Sequence, residues 1–368
     1  MDAELRDIEL VDHHCHGLVT RELDRPGFEA LLTEAAAPTP LGGSPFDSQI
    51  GFALRRWCPP LLDLEPHADP DAYLARRAEL GAAEVNRRLL TATGTRTFLV
   101  DTGYLPEPIT TPAELAGVVG GTGHEVVRLE QVASDVLGAV GAGAFPDAFR
   151  IELGRRCATA VGVKSIAAYR AGLALPADRP DDAAVVAAAD RQLAGGSTRV
   201  ADPVLHAFGV WSGIDLGLPV QFHTGMGDAD TDLRRGDPLL LTDLLRATEP
   251  HGVPVVLLHT YPFQRHAGYL AQVFGHVFCD VSLATHNLGA RSAAVLPELL
   301  ELAPFGKVLF ASDAFGLAEL YLLGTWLFRR ALGGHLAAGV ADGAWTAADA
   351  QRVAAMIGAD NARRVYRL

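Results

Sequence analysis

The sequence is poor in cysteine and in basic charge. Its four cysteines, Cys15, Cys58, Cys157 and Cys279, are far apart in a chain of 368 residues, which favours reduced thiols over a disulfide framework. The formal net charge is -13, which argues against extensive nucleic-acid binding because that function needs a basic face. A local basic pocket for an anionic small molecule stays compatible with this charge balance.

Long hydrophobic runs are also missing. The most lipophilic stretch, residues 314–328, contains Glu319 and is too short to span a bilayer, so we expect a buried helix there. The start, Met1-Asp2-Ala3-Glu4, is acidic and does not look like a secretory signal. With 49% hydrophobic and 20% charged residues, the chain is expected to be a soluble cytoplasmic protein with a sizeable core and no membrane partner.

Short apolar runs that end in polar residues recur along the chain, separated by longer helix-like stretches. They are dense in Val, Leu, Ile and Phe, as parallel strands covered on both faces are. The runs are residues 8–14, 95–101, 125–130, 161–168, 218–223, 254–259, 276–282 and 307–313. Eight such runs predict a (β/α)₈ TIM barrel in the α/β class. The rival, an open doubly wound sheet, normally has a glycine-rich turn after its first strand, where this chain has His14-Cys15-His16.

An oversized insertion, residues 18–94, separates the first two predicted strands. Its early part is rich in Pro and Gly and is typical of a loop, whereas residues 70–91 are rich in Ala, Leu, Arg and Glu and predict helix. We therefore predict a single domain, residues 1–368, in which a mainly helical lid covers the catalytic face of the barrel.

The first predicted strand ends in a cluster of histidines. Side chains alternate along an extended strand, so Asp12, His14 and His16 are expected on one face, and His13 and Cys15 on the other. Two imidazoles on one face can reach one borderline-soft metal ion such as zinc, although a polar strand end with hydrogen-bonded histidines is the simpler alternative.

Further polar residues end the other predicted strands, and a barrel gathers such residues at one mouth. They are Asp101, Arg128, Glu130, Lys164, His223, His259, Asp280 and Asp313. So many histidines, one lysine and one aspartate at matching strand ends are hard to explain by packing alone. The other histidines lack this placement and are expected to lie at the surface or to be satisfied in the core.

This pattern resembles the amidohydrolase superfamily of metal-dependent TIM-barrel enzymes. The matching motifs are His14-Cys15-His16, Val163-Lys164-Ser165, Phe222-His223-Thr224-Gly225, Leu258-His259-Thr260 and Ser312-Asp313-Ala314. The stretches 127–130, 164–170 and 360–366 are similar to the amidohydrolase 2 branch, including the amidohydrolase-like half of fungal sporulation and nodulin proteins. The resemblance is weakest in residues 18–94.

The resemblance implies a role for each motif residue. His14, His16 and Asp313 would bind a divalent metal, most simply Zn²⁺, with Mn²⁺ or Fe²⁺ as alternatives, and an activated water would attack a carbonyl carbon. Asp313 would carry the proton. His223 and His259 would bind the same ion or a second one, or His259 would donate to the developing oxyanion. Lys164 would either be carbamylated and bridge two ions or bind substrate, and it could instead pair with a carboxylate such as Glu130.

Three residues near the strand ends, Arg128, Tyr169 and Arg170, are candidates for binding a substrate carboxylate. The resemblance then implies hydrolysis of an amide or other C–N bond of a small polar, carboxylate-bearing metabolite. A metal-dependent decarboxylase of a small carboxylic acid is the alternative, and a barrel that only binds partners is a third. No nucleic-acid partner is expected, and a homo-oligomer stays open.

Overall fold

The computed structural model describes residues 8–38 and 40–368, so the acidic stretch Met1-Asp2-Ala3-Glu4 lies outside the described residues. Seven strands form one parallel sheet in sequence order. They are β1 (Val11–Cys15), β2 (Thr97–Asp101), β3 (Thr122–Arg128), β4 (Gly162–Ser165), β5 (Val220–His223), β6 (Val255–Leu258) and β7 (Val277–Cys279). Each lies within or overlaps one of the predicted apolar runs.

The last predicted strand, residues 307–313, closes the sheet into a ring without forming a regular ladder. On one side the Leu309 amide donates to the Cys279 carbonyl at 3.1 Å. On the other side the His13 amide donates to the Phe310 carbonyl at 3.2 Å. The prediction of a (β/α)₈ TIM barrel with an insertion after its first strand is confirmed, with the eighth position held by an irregular extended segment.

Alternate side chains of the strands face the inside and the outside of this ring. On β6, Val256 and Leu258 pack in one apolar cluster, whereas Val255 and Leu257 pack in a larger one that holds the surrounding helices. The inner cluster also contains Val365 and Tyr366 from the chain's last helix. That helix therefore fills the amino end of the barrel and leaves the carboxyl ends of the strands as the open mouth.

The remaining helices follow the strands along the chain, and the last of them is the helix at the amino end of the barrel. In chain order after β2 they are α5 (Pro112–Gly117), α6 (Leu129–Ala139), α7 (Phe145–Arg156), α8 (Asp182–Ala194), α9 (Pro203–Asp215), α10 (Thr242–Thr248), α11 (Gln264–Val273), α12 (Ser282–Asn287), α13 (Ser292–Leu300), α14 (Ala318–Asp342), α15 (Ala347–Ala355) and α16 (Asn361–Tyr366). Helix α15 begins at a reciprocal capping box formed by Thr346 and Asp349.

The insertion, residues 18–94, contains four helices: α1 (Arg25–Ala30), α2 (Gln49–Trp57), α3 (Pro70–Leu80) and α4 (Ala82–Thr93). The single helix expected near residues 70–91 is divided at Gly81, whose φ of 79° is a left-handed value that favours glycine. The insertion packs on the barrel through an apolar cluster shared with α14. Beside that cluster, Arg77 Nε lies 2.6 Å from Glu319 Oε1.

The predicted buried helix near residues 314–328 is the first part of α14, a helix of 25 residues. No helix in the described part of the chain is both long and apolar enough to cross a membrane. All four cysteines are buried and carry free thiols.

Candidate active site

Asp313 lies at the centre of a group of imidazoles at the open mouth. Its Oδ1 is 3.1 Å from His14 Nε2 and 3.5 Å from His16 Nε2. Its Oδ2 is 3.3 Å from His259 Nδ1. The backbone is left-handed at Asp313 (φ 51°) and His259 (φ 68°), a strained conformation for residues with a Cβ. Residues from three strand ends therefore meet at one carboxylate.

The first strand reaches this group through an irregular turn of its backbone. The pairing register of β1 with β2 shifts between Asp12 and Cys15. Asp12 accepts hydrogen bonds from the Ser312 amide and hydroxyl, whereas His13 reaches Asp280 Oδ2 at 2.9 Å. The alternation predicted for residues 12–16 agrees with His14 and His16, which both contact Asp313 Oδ1. It does not predict the position of Asp12, which contacts Ser312 instead, because the register shift interrupts the regular strand between Asp12 and Cys15.

Lys164, from β4, lies between two of the predicted site residues. Its Nζ is 2.7 Å from His14 Nε2 and 3.5 Å from Asp101 Oδ2. Asp101 also forms an ion pair with Arg128, whose Nη2 lies 2.6 Å from Asp101 Oδ2. The carboxylate beside Lys164 is thus Asp101 and not Glu130, and Arg128 is held by Asp101 at the base of the mouth.

Glu130 has a structural role and does not pair with Lys164. Its Oε1 accepts from the Ser165 hydroxyl at 2.7 Å and from the Ile166 amide at 2.9 Å, and His206 Nδ1 lies 3.0 Å away. This group holds the loop that follows β4 against α9. His206 lies in the core as expected, but only its Nδ1 is satisfied, because its Nε2 has no hydrogen-bond partner among the described residues.

His259 is oriented by the segment that follows β7. The Ser282 hydroxyl donates to Asp280 Oδ1 at 2.6 Å, so the Ser282 oxygen accepts from His259 Nδ1 at 2.8 Å. The Nδ1 atom therefore carries the ring proton, and Nε2, which is buried and has no partner in the described part of the chain, keeps its lone pair. This arrangement suits a metal ligand better than a hydrogen-bond donor to an oxyanion.

His223 lies beside this group without touching Asp313. Its ring centroid is 4.5 Å from that of His259 and 4.2 Å from that of Tyr169. Its Nε2 donates to the Met226 carbonyl at 2.9 Å. A side chain at Gly227 would place its Cβ 2.3 Å from the Tyr169 hydroxyl oxygen, so this loop needs glycine at that position.

Burial and neighbouring charges set the protonation of the centre. Burial, followed by the charge of Lys164, lowers the pKa of His14 to about 3, and burial lowers the pKa of His259 to about 4. Burial alone would raise the pKa of Asp313, but the surrounding imidazoles hold it well below its usual range. Burial also lowers the pKa of Lys164. At neutral pH His14 and His259 are therefore neutral imidazoles beside an ionised carboxylate.

These residues fit a divalent metal ion. Imidazole lone pairs and a carboxylate oxygen converge with few protons between them, and such a group of acceptors is stabilised by a cation. Two overlapping groups have ligand atoms within 4.8 Å of one another: His14, His259 and Asp313, and His14, His16 and Asp101. His14 is common to both, and His223 belongs to neither of them.

A cavity of about 520 Å³ opens above this centre. Its wall includes Arg128, Tyr169 and Arg170, the residues predicted to bind substrate. It also includes Glu34 from the insertion, a residue that the sequence does not single out because it follows no strand and belongs to no motif.

His286 was missed as well. It was expected to lie at the surface or to be satisfied in the core, and this expectation is wrong. His286 is only 2% exposed, its Nδ1 has no hydrogen-bond partner among the described residues, and it lines the cavity. Its spacing of four residues from Ser282 on a helix that directly follows β7 is a signal that could have found it.

Comparison with known proteins agrees with this fold. Residues 155–368 match the family profile described as Amidohydrolase. A Lactobacillus casei ATCC 334 protein, provisionally described as a metal-dependent hydrolase, has a crystal structure that aligns with a TM-score of 0.88. The two chains are 32% identical, and the alignment covers 99% of this chain and 96% of the other. The family match and this relative together indicate a metal-dependent hydrolase. The chain belongs to the amidohydrolase family.

Two other relatives are informative in part. Protein fluG of Emericella nidulans is 34% identical over 224 residues, which are 56% of this chain and 26% of that protein. The chain therefore spans about a quarter of the length of this relative. A uronate isomerase of Bacillus halodurans C-125 aligns over 99% of this chain and 94% of its own with a TM-score of 0.65 and 13% identity, which shows the shared fold alone.

Proposed function

We propose that this protein is a metal-dependent hydrolase that cleaves an amide or other C–N bond of a small polar, carboxylate-bearing metabolite. The observation that supports it most directly is the contact of His14, His16 and His259 with the single carboxylate of Asp313 at the mouth of the barrel. Membership of the amidohydrolase family supports the same reaction class. The Lactobacillus casei relative is described as a metal-dependent hydrolase, which supports the use of a metal.

The metal site would be formed by His14, His16, His259 and Asp313. A divalent ion there, with Zn²⁺ as the first candidate, would polarise the substrate carbonyl and lower the pKa of a water molecule. Asp313 is ionised and faces the cavity, so its carboxylate can accept a proton from the attacking water and deliver it to the leaving nitrogen. His259 keeps its orientation through Ser282 during this transfer.

Lys164 has two candidate forms. Its lowered pKa increases the neutral amine that CO₂ would carbamylate, which supports a bridge between two ions. Its contacts with Asp101 and His14 support an amine that orients these residues around one ion. Counting metal ions per chain, together with the intact mass of a Lys164 peptide, separates the two forms.

Activity with a panel of amides tests the proposed reaction. The metal-loaded enzyme should release ammonia from amides of small dicarboxylic acids and amino acids, with CO₂ release followed in parallel. Release of CO₂ without ammonia would favour the decarboxylase alternative. Retention of one or two ions without any turnover across both assays would contradict the hydrolase proposal.

Asp313→Asn should keep the fold and lower kcat by roughly 100- to 10,000-fold, because the amide cannot accept the proton. The matched control is Asp190→Asn, an exposed residue on α8 that should keep full activity. Full turnover in Asp313→Asn with metal still bound would remove Asp313 from the proton transfer.

A further inference from the structure

The cavity above the metal centre has walls of both charges. Its cationic groups come from strand ends and from Arg199, and its anionic groups include Glu34 from the insertion and Asp228 from the loop after β5. A charge that faces a partly desolvated cavity is costly unless an opposite charge lies near it. A charged side chain of the wall that has no opposite charge nearby therefore indicates that a ligand carries that opposite charge.

Most of the cations already have partners within the chain. Arg128 and Lys164 both contact Asp101, and Arg199 pairs with Asp230. Arg170 differs from these. Its Nε and Nη1 are buried without a hydrogen-bond partner, and no carboxylate in the described ranges forms an ion pair with it. Arg170 is thus a cationic group on the cavity wall whose counter-charge is not supplied by the described residues.

Glu34 is the corresponding anionic group. It is half-buried, and among residues 8–38 and 40–368 it has no hydrogen bond or ion pair. Burial and the negative charges of Asp313 and Asp228 raise the pKa of Glu34 to about 7. Asp228 is exposed and accepts a hydrogen bond from the Asp230 amide, and no cationic side chain in the described ranges forms an ion pair with it. A cation near Glu34 would relieve this repulsion.

A metal ion fits this second position less well than an organic cation. Both groups of described residues whose ligand atoms lie close enough to share an ion contain His14, and neither contains Glu34. An ammonium group needs only one or two carboxylates at hydrogen-bonding distance and tolerates open coordination. The cavity volume of about 520 Å³ is also large enough for a small organic molecule.

We propose that the cavity takes a zwitterionic substrate, an amino-acid-like amide whose carboxylate meets Arg170 and whose ammonium group meets Glu34. Glu34 is then a specificity-determining residue that the insertion contributes to the barrel. Asp228 adds negative charge at the entrance on the same side. This inference rests on the proposed amide hydrolysis at the same site, and it adds the requirement for a positive group on the substrate.

Three amides that differ only in their charged groups test this requirement. L-Glutamine carries both charges, glutaramate lacks the ammonium group, and 4-aminobutanamide lacks the carboxylate. Calorimetric titration into the metal-loaded enzyme should show that L-glutamine binds at least about ten-fold more tightly than either analogue, because each analogue leaves one wall charge unpaired. Ammonia release is measured on the same samples.

Two variants assign the two charges. Glu34→Gln should lower the affinity ratio of L-glutamine to glutaramate to near one, and Arg170→Gln should do the same for L-glutamine against 4-aminobutanamide. Glu65→Gln, an exposed carboxylate elsewhere in the insertion, is the matched control and should keep both ratios. Circular dichroism and metal content confirm that each variant is folded and loaded.

The outcomes separate this inference from the proposed function. Equal affinity for glutaramate and L-glutamine, no binding of any probe, or an unchanged ratio in Glu34→Gln overturns the zwitterion assignment. A loss of metal from Glu34→Gln overturns it as well, because Glu34 would then be an ion ligand. A charge preference that depends on Glu34 without ammonia release supports the assignment and contradicts hydrolysis of these amides.

Discussion

The hydroxyl of Ser282 is the residue-scale feature that fixes the protonation of His259. Since it donates to Asp280 and accepts from His259, removing it frees the imidazole to rotate or to exchange its ring proton. A residue that contacts no substrate can therefore decide which nitrogen faces the cavity.

Ser282→Ala should weaken metal binding or lower kcat by roughly 10- to 100-fold, as the loss of a hydrogen bond behind a ligand usually does. Ser282→Thr keeps the hydroxyl and should recover most of the loss. Ser212→Ala is the control, because Ser212 is also buried but donates only to the Phe208 carbonyl. Metal affinity and kcat in Ser282→Ala equal to those of the control would contradict this role.

Glu130 gives a pH prediction. Burial raises the pKa of its carboxyl, but His206 and the Ser165 hydroxyl more than offset this, so the pKa is lowered in the folded state. Its ionised form therefore stabilises the fold above the unfolded value of about 4.3, and this contribution is lost as the pH falls through the lower folded value.

Glu130→Gln should accordingly be less stable than the wild type at pH 7 by about 1–3 kcal/mol. The difference should shrink as the pH falls below about 4.3. Urea midpoints of both proteins, measured with a chelator present so that metal release does not contribute, check the trend. A difference that stays constant from pH 7 to pH 3.5 would contradict it.

The residue scale is also where the sequence was least informative. His259 and Asp313 could be found because each ends an apolar run, and parallel strands in a barrel end at one mouth. Lys164 lies inside the run 161–168 and matches a motif of the amidohydrolase superfamily. Glu34 could not, because its position depends on how the insertion folds back over the barrel. The contacts of Asp12 were missed since a backbone irregularity breaks the alternation from which they were predicted.

At the scale of elements, one buried ion pair joins the insertion to the barrel. Arg77 on α3 is 5% exposed, Glu319 on α14 is fully buried, and the Tyr73 hydroxyl donates to the same carboxylate at 2.7 Å. Breaking a buried pair from one side leaves an uncompensated charge, whereas replacing the whole group by apolar residues removes the problem.

Arg77→Met and Glu319→Leu should each lower the free energy of unfolding by about 3–5 kcal/mol. The triple variant Arg77→Met/Glu319→Leu/Tyr73→Phe should recover most of that loss. Chemical denaturation measures all of them. A triple variant as unstable as the sum of its parts would mean that the ion pair contributes net stability by itself.

The elements themselves were largely predictable. The eight apolar runs located every strand, because strands covered on both faces are apolar throughout. Their ends were placed less well: the run 161–168 contains the four-residue strand Gly162–Ser165, followed by a loop that Glu130 holds. Hydrophobic pattern alone does not distinguish a buried strand from the buried loop after it.

At the scale of the whole molecule, a metal bound at the mouth would couple several strands. An ion that binds only the folded state stabilises it by about 2.7 kcal/mol when the free metal is a hundred times its Kd. Removing the metal should therefore lower the Tm by a few degrees.

His14→Ala should lose this metal-dependent increase in Tm, whereas the exposed control His67→Ala should keep it. Differential scanning calorimetry with and without added Zn²⁺ makes the comparison. A metal-dependent increase that is the same in His14→Ala and in the control would show that His14 is not a ligand.

The helix α16 has a consequence for the order in which the protein becomes functional. The Tyr366 hydroxyl receives a hydrogen bond from Gln221 at 2.8 Å and lies 3.1 Å from His13 Nδ1, and His13 in turn contacts Asp280, which holds His259. Tyr366 is translated more than three hundred codons after β1. During synthesis on the ribosome, the histidines of β1 therefore lack this contact until the end of the described chain has been made. A nascent chain released before that point would lack the support of Tyr366 beneath His14 and His16, the proposed metal ligands.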